Sequence, residues 1–176
     1  MDQKLSDIST KVSLSFKDIN EKAKKALSIM VCGSYKDESD LRIIEKFRDQ
    51  QREKGVTGTF LMKDIITEEK ELPLHEKFHH LWLQMKKDDK VPLFIIFAGK
   101  SASESLGLNA EIQTIAYDKE KISCAHLFKF PGINLVSHET CFAFTREVRT
   151  HEEFIEEAEK VVNNYVNQIR MFYQAK

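Results

Sequence analysis

A serine, an asparagine and a glutamate that could act together on a sugar lie within one short stretch of the chain. Ser105, Asn109 and Glu111 closely follow residues 91–98, the most apolar run in the sequence. A single carboxylate can attack an anomeric carbon, or stabilise the positive charge that develops when an N-glycosidic bond breaks. Hydroxyl and amide groups can hold sugar hydroxyls by hydrogen bonds. These residue types therefore predict a sugar site in which Glu111 carries the chemistry.

The position of this stretch depends on the strand that precedes it. A continuous apolar run such as residues 91–98 is typical of a strand that is buried on both faces of a parallel sheet. Segments beyond the carboxyl ends of such strands form the ligand crevice of open α/β sheets. A loop predicted over 99–108 and a helix predicted over 111–117 would place Glu111 at this crevice.

Strands alternate with helices along the chain. Apolar runs predict five strands, at residues 27–32, 56–62, 91–98, 122–130 and 141–144. Apolar spacings of three and four predict helices at residues 37–54, 73–85, 111–117 and 152–173. This alternation predicts one α/β domain, residues 27–176, with a mainly parallel sheet in the flavodoxin-like order 2-1-3-4-5 and helices on both faces. Residues 1–26 are predicted to form an extra amphipathic N-terminal helix.

The predicted order places the crevice beyond the first and third strands. The residues there that suit a small ligand are Gly33, Ser34, Tyr35, Asp64, Ser103, Ser105, Asn109 and Glu111. Gly33 would let a ligand approach the backbone closely. The alternative is a structural role, in which Ser105 or Asn109 caps the helix and Glu111 is a first-turn acid favoured by the helix dipole.

Three short motifs around this crevice resemble those of known proteins. They are Gly33-Ser34-Tyr35, Phe60-Leu61-Met62-Lys63-Asp64, and Ser105 six positions before the glutamate of Ala110-Glu111-Ile112. The first motif and the Ala-Glu-Ile sequence are similar to parts of nucleoside 2-deoxyribosyltransferases. The second motif and the serine-to-glutamate spacing resemble TIR domains. Both groups are Rossmann-like, and the resemblance covers roughly residues 27–145 as topology.

The resemblance implies an activity. Both groups use this glutamate to cleave the bond between a ribose-type sugar and a base, so the implied ligand is a nucleotide or nucleoside. NAD would be a substrate, and no redox cofactor is implied. The transferases complete their active site across a subunit interface, which implies a homodimer.

The chain also departs from both groups. Gly107 and Leu108 stand where TIR domains have a tryptophan–cysteine pair, and Ser105 replaces the transferase aspartate that meets the sugar. These departures leave two hypotheses open. One is an N-glycosidase, NAD hydrolase or deoxyribosyltransferase that acts through Glu111, and the other is a non-catalytic nucleotide-sensing or self-association module of the same fold.

A second motif has the spacing of a zinc site. His75, Glu76 and His79 fit the pattern HExxH, in which two histidines one helical turn apart bind the metal. However, Lys77 places a cation inside the motif, and Pro73 puts the motif in the first turn of its helix. We therefore predict a polar helix flank and no metal site.

Composition restricts the remaining classes of protein. The 176 residues suit one domain, and 27 basic residues balance 28 acidic ones, which gives no electrostatic argument for nucleic acid. No run approaches the roughly 18 apolar residues of a membrane span, and residues 1–10 lack an apolar signal core, so we expect a cytoplasmic protein. The widely spaced Cys32, Cys124 and Cys141 predict core residues rather than disulfides or zinc ligands.

Overall fold

Five parallel strands form a single sheet. The computed structural model describes residues 15–64, 73–135 and 141–175, without the side chains of Leu74 and His75. The strands are β1 (Leu27–Gly33), β2 (Gly58–Leu61), β3 (Val91–Ala98), β4 (Ala125–Lys129) and β5 (Phe144–Glu147). Their order is β2-β1-β3-β4-β5, and every neighbouring pair is parallel. The predicted α/β class and the flavodoxin-like order 2-1-3-4-5 are therefore confirmed.

Helices cover both faces of this sheet. They are α1 (residues 15–26), α2 (Glu38–Glu53), α3 (Leu74–Met85), α4 (Leu106–Ala116), α5 (Lys119–Ser123) and α6 (His151–Gln174). The predicted N-terminal helix is present over residues 15–26, and its predicted part over residues 1–14 lies outside the described residues.

The core has two layers, one on each side of the central strands. All seven residues of β1 and the last six of β3 are buried, because both strands have helices above and below them. On one face, Phe47 of α2 and Phe154 of α6 pack together with their rings 5.6 Å apart. On the other face, Phe78 and Trp82 of α3 stack on Phe94.

Three predicted boundaries are wrong, and one of them affects the candidate site. Helix α4 begins at Leu106 rather than at Glu111, because the Ser105 side chain caps it by accepting the Leu108 N–H at 3.3 Å. Residues 119–123 form α5, so Ile122 and Ser123 are helical rather than the start of a strand, because Asp118 caps a helical turn there. The fifth strand lies at Phe144–Glu147 rather than at 141–144.

The structural alternative is confirmed for Ser105, which caps α4, but it is wrong for Glu111. Glu111 is the sixth residue of the helix and lies in its second turn, beyond the first-turn N–H groups. It shares the buried face of α4 with Leu108, Ile112 and Ile115, and α4 packs against β1. Glu111 is therefore a core-facing carboxyl group rather than a first-turn acid on the surface.

Candidate functional site

Glu111 lies beside the last buried residues of β1. It is only 3% exposed, and Cys32 of β1 is fully buried. Its Oε2 atom has no hydrogen-bond partner among the described residues. A buried polar atom without a partner is costly, so this oxygen is a candidate contact for a ligand or an ordered water.

Burial controls the protonation of Glu111. Removal of the carboxyl group from water disfavours its charged form and raises its pKa from 4.5 to about 8, while the neighbouring Cys32 thiol lowers that pKa by a smaller amount. Glu111 is therefore mostly protonated at neutral pH. In this state it can donate a proton, and after ionisation it is a poorly solvated and therefore reactive carboxylate.

Tyr35 lies in the turn after β1, near Glu111. It is 38% exposed, but its pKa is raised, first by burial and then by the charges of Glu111 and Cys32. The Lys63 backbone in the turn after β2 lowers that pKa by a smaller amount. The phenol is therefore near both Glu111 and the end of β2.

The turn after β1 also contacts the turn after β3. The Ser34 and Ser101 hydroxyl oxygens lie 2.7 Å apart, and the Lys36 backbone N–H donates to Ser34 Oγ at 3.3 Å. Ser34 is fully buried, so this hydroxyl is already used inside the protein. Gly33 has a packing role, because a Cβ at this position would lie 3.0 Å from the Ile44 side chain.

The polar residues before and within α4 are held by local hydrogen bonds. The Asn109 side-chain amide lies 3.5 Å from the Ala102 carbonyl and 3.4 Å from the Ser103 carbonyl, across the 3-10 turn Ala102–Glu104. Ser105 is 5% exposed and caps α4, whereas Ser103 is exposed. Ser105 and Asn109 therefore shape the loop beside Glu111, and Ser103 is accessible from solvent.

Asp64 is bound by two arginines of α2. Its carboxylate accepts from Arg48 at 2.6 Å, from Arg52 at 3.1 Å and from the Leu61 backbone N–H at 3.0 Å. These bonds occupy both carboxylate oxygens and fix the turn after β2 to α2. Of the predicted site residues, Asp64 is the one with the most complete set of partners in the protein itself.

A buried contact between a carboxyl group and an imidazole at the same edge of the sheet was missed by the sequence analysis. The Asp40 side chain is 0% exposed, its Oδ1 lies 3.2 Å from His151 Nε2, and its Oδ2 lies 3.5 Å from the Ser101 backbone nitrogen. His151 packs against the rings of Phe97 and Phe130. No sequence signal links Asp40 with His151, since the two are 111 positions apart. Together they hold the N-terminal ends of α2 and α6 against the turn after β3.

The remaining sequence motifs lie away from this region. His79 and His80 of α3 are exposed, and no cluster of three or more metal-binding side chains occurs among the residues that the structure describes. In the same part of the chain, no helix has the length and apolar character to cross a membrane. Cys32 and Cys124 are buried as predicted, but Cys141 is exposed, so its assignment to the core is wrong.

Comparison with known proteins identifies neither a family nor a function for this site. No protein-family model matches the chain, and neither the curated proteins nor the solved structures contain a match.

Proposed function

We propose that the protein binds a nucleotide or nucleoside at the carboxyl ends of β1 and β3, and that Glu111 takes part in cleaving its N-glycosidic bond. The observation that carries this proposal is the buried Glu111 carboxyl group, with its raised pKa and its unpartnered Oε2, in the crevice region of a parallel sheet. A carboxyl group in this state costs folding free energy, and a catalytic task gives a reason for it.

The charge of the substrate determines which form of Glu111 acts. A base that is already cationic, as in NAD, would lower the pKa of Glu111 and favour the carboxylate. The carboxylate would then stabilise or capture the anomeric carbon while the base leaves with the bonding electron pair. Water completes a hydrolysis and a second base completes a transfer. With a neutral nucleoside, protonated Glu111 would instead donate its proton to the leaving base.

Access to Glu111 requires a conformational change, because Glu111 is only 3% exposed in this conformation. Tyr35 is near Glu111 and is itself 38% exposed. The proposal therefore includes rotation of Tyr35 on ligand binding.

The alternative is a non-catalytic nucleotide-sensing or self-association module. One observation favours it: several polar groups expected to line the ligand site already have partners within the protein. Ser34 contacts Ser101, Asn109 contacts two carbonyl groups, and Asp64 pairs with two arginines. A sensor of this kind would bind a ligand through the loops without releasing the base.

Self-association is supported by a separate apolar surface. Phe16 of α1 is 52% exposed, and Met171 near the end of α6 is 65% exposed. A shallow groove beside them is lined by Ile19, Ala26 and Tyr173 and, at its charged side, by Lys22, Lys25, Asp88 and Lys90. We propose that this surface forms a homodimer contact in a cytoplasmic protein, a location with which the free thiols are compatible. Phe16→Glu should then reduce the sedimentation coefficient at high concentration, whereas Leu83→Glu, at a residue 53% exposed on α3, should not.

The proposed activity is tested by release of free base. The purified protein is incubated with NAD and, separately, with ribonucleosides and deoxyribonucleosides, with and without a second base as acceptor, and products are separated by chromatography. We expect release by the wild type and by Glu104→Gln, a change at an exposed glutamate of the neighbouring turn, but none by Glu111→Gln. Equal release by Glu111→Gln would reject the catalytic role. Ligand binding without any release would support the sensor instead.

A further inference from the structure

Strand β5 is the least covered strand of the sheet. All four of its residues are exposed, although strands of a parallel sheet are usually buried on both faces. Helix α6 packs through Phe154 on the rings of Phe97 and Phe128, so it covers the central strands more closely than β5. A cavity of about 370 Å³ lies where β4, β5 and α6 meet, a volume within the range of small-molecule sites. Its described lining residues do not include any residue of the nucleotide site proposed above.

The walls of this cavity are mainly apolar and partly aromatic. Phe128 of β4 and Val161 of α6 line it, and so does Phe144 of β5, which is 51% exposed. The His126 ring stacks on Phe144 with the centroids 4.7 Å apart and the planes 15° apart, and Tyr165 meets the His126 ring edge-on at 5.9 Å. Flat rings pack well against aromatic surfaces of this kind. The walls therefore suit a ligand with a planar ring.

The polar groups of the lining include one cation. Arg146 follows Phe144 by two positions on β5, so the two side chains leave the same face of the strand. Among the described lining residues, Arg146 is the one with a formal charge at neutral pH. A guanidinium group matches the geometry of a carboxylate and can donate two parallel hydrogen bonds to it. The charge of the lining therefore favours an anionic ligand, and a planar carboxylate fits it best.

Arg146 can exchange its present partner for a ligand. It pairs with Glu157 of α6, but its side chain is 58% exposed, and exposed ion pairs contribute little to stability. Glu157 also accepts from Lys160 at 2.6 Å. Lys160 therefore still balances the charge of Glu157 when Arg146 turns to a carboxylate in the cavity.

His126 supplies a second polar group. Its Nε2 atom is buried and has no hydrogen-bond partner among the described residues, which is costly. Burial, with a smaller effect of the Arg146 charge, lowers the pKa of His126 to about 4, so the imidazole is neutral at pH 7. A neutral imidazole has one N–H donor and one acceptor nitrogen. His126 can therefore form a hydrogen bond with a polar substituent of a ligand without adding a charge.

We propose that the cavity between β4, β5 and α6 binds a small aromatic carboxylate, whose ring packs beside Phe144 and whose carboxylate pairs with Arg146. His126 and Asn164, a lining residue one helical turn after Val161, are the partners for a hydroxyl group on the ring. A phosphate group fits less well, because a single guanidinium would have to balance its higher charge. This site is separate from Glu111 and does not rest on the proposed activity.

The test is a titration of the protein with benzoate and with 4-hydroxybenzoate, followed by two-dimensional NMR at constant ionic strength. We expect saturable shifts at Phe144 and Arg146 with a dissociation constant of roughly 1 mM, a reasonable affinity for a ligand of this size. Benzamide keeps the ring and removes the charge, and cyclohexanecarboxylate keeps the charge and removes the aromatic ring. Benzamide should bind roughly tenfold more weakly, because it cannot form the charge-assisted hydrogen bonds. Cyclohexanecarboxylate should also bind more weakly than benzoate.

Two variants locate the site. Arg146→Gln should weaken benzoate binding roughly tenfold, whereas Arg149→Gln, at an exposed arginine outside the lining, should leave it unchanged. Val161→Phe places a larger ring in the cavity and should abolish binding without loss of thermal stability. Glu111→Gln should bind benzoate as the wild type does.

The proposal has clear contrary outcomes. It would be overturned by the absence of saturable binding of both benzoates, by equal binding of benzoate and benzamide, or by unchanged benzoate binding in Arg146→Gln. Benzoate binding that survives in folded Val161→Phe, or that is lost in Glu111→Gln, would place the ligand elsewhere and would also overturn it. Base release is not part of these measurements, so their result is independent of whether Glu111 is catalytic.

Discussion

Gly99 lies directly against the carboxylate of Asp40. A β-carbon at residue 99 would be 2.2 Å from Asp40 Oδ1 and 2.3 Å from Oδ2, distances that non-bonded atoms do not reach. Asp40 cannot easily move away, because it is 0% exposed and is held by His151 and by the Ser101 backbone nitrogen. The absence of a side chain at residue 99 thus allows a buried charge to pack beside the turn after β3.

Substitution of this glycine should therefore destabilise the protein. We expect Gly99→Ala to lower the free energy of unfolding by roughly 1–3 kcal/mol, the usual cost of overpacking a core. Gly107→Ala is the control: no atom lies within 4 Å of a Cβ at that helical position, so the same change should stabilise by about 0.4–1 kcal/mol. Urea unfolding measures both. Equal stability of Gly99→Ala and wild type would show that Asp40 is free to shift.

Glu111 should make the protein less stable as pH rises. Its pKa is about 8 in the folded state against 4.5 for an exposed glutamate, so between these values the folded state retains a proton that the unfolded chain has released. The free energy of unfolding should then fall with pH across this window by at most about 1.4 kcal/mol per unit, and level off above it.

Glu111→Gln should abolish this decrease of stability with pH, because glutamine does not titrate. Urea unfolding at several pH values between 5 and 9 would measure the slope for wild type, Glu111→Gln and the exposed control Glu104→Gln. We expect the difference in stability between Glu111→Gln and wild type to grow with pH. A constant difference would mean that Glu111 is ionised in the folded protein, contrary to its burial.

His126 should produce the opposite slope at lower pH. Burial, with a smaller effect of the Arg146 charge, lowers its pKa from 6.5 to about 4, so the folded state holds it neutral. The unfolded chain takes up a proton below 6.5, and stability should be lost as pH falls from 6.5 toward 4. His126 stacks on Phe144 with the ring centroids 4.7 Å apart, so His126→Phe keeps an aromatic contact while removing the titration.

The measurement is thermal unfolding between pH 4 and 7. His126→Phe should lose less stability than the wild type on acidification, whereas His80→Phe, a change at an exposed histidine of α3, should follow the wild type. If the stability of His126→Phe fell as steeply on acidification as that of the wild type, other groups would have to cause the acid sensitivity. The opposite signs for His126 and Glu111 allow the two contributions to be separated within one series of experiments.

The fold was predictable because its signals are local. The buried runs of β1 and β3 and the apolar spacing of α2 and α6 are contained in short windows of sequence, and parallel order follows from their alternation. The boundary errors arise where another local preference competes. Ser105 and Asp118 begin helices ahead of apolar residues, and β5 is an edge strand with all four residues exposed, so it lacks an apolar run.

The candidate site was only partly predictable. Sequence position identifies Glu111 because it follows a central strand, but its burial depends on how α4 packs against β1. The pairing of Asp40 with His151 depends on where two distant helices begin. Such contacts are set by tertiary packing and leave no periodic pattern in the chain.

Asp64 allows a test between a structural and a ligand-binding role. Its two arginine partners and its backbone N–H indicate that it holds the turn after β2, although it was predicted to contact a ligand. Its side chain is 19% exposed, and charge-assisted hydrogen bonds of this kind are stronger than neutral ones. We therefore expect Asp64→Asn to lower the free energy of unfolding by roughly 1–2 kcal/mol.

The control is Asp49→Asn, because Asp49 also pairs with Arg48 but is 54% exposed, and its loss should change stability by less than about 0.5 kcal/mol. Nucleotide binding by both folded variants, measured by calorimetry, should equal that of the wild type. A loss of binding in Asp64→Asn with unchanged stability would instead assign Asp64 to the ligand. A loss of both would indicate that ligand binding depends on the turn after β2 being held in place.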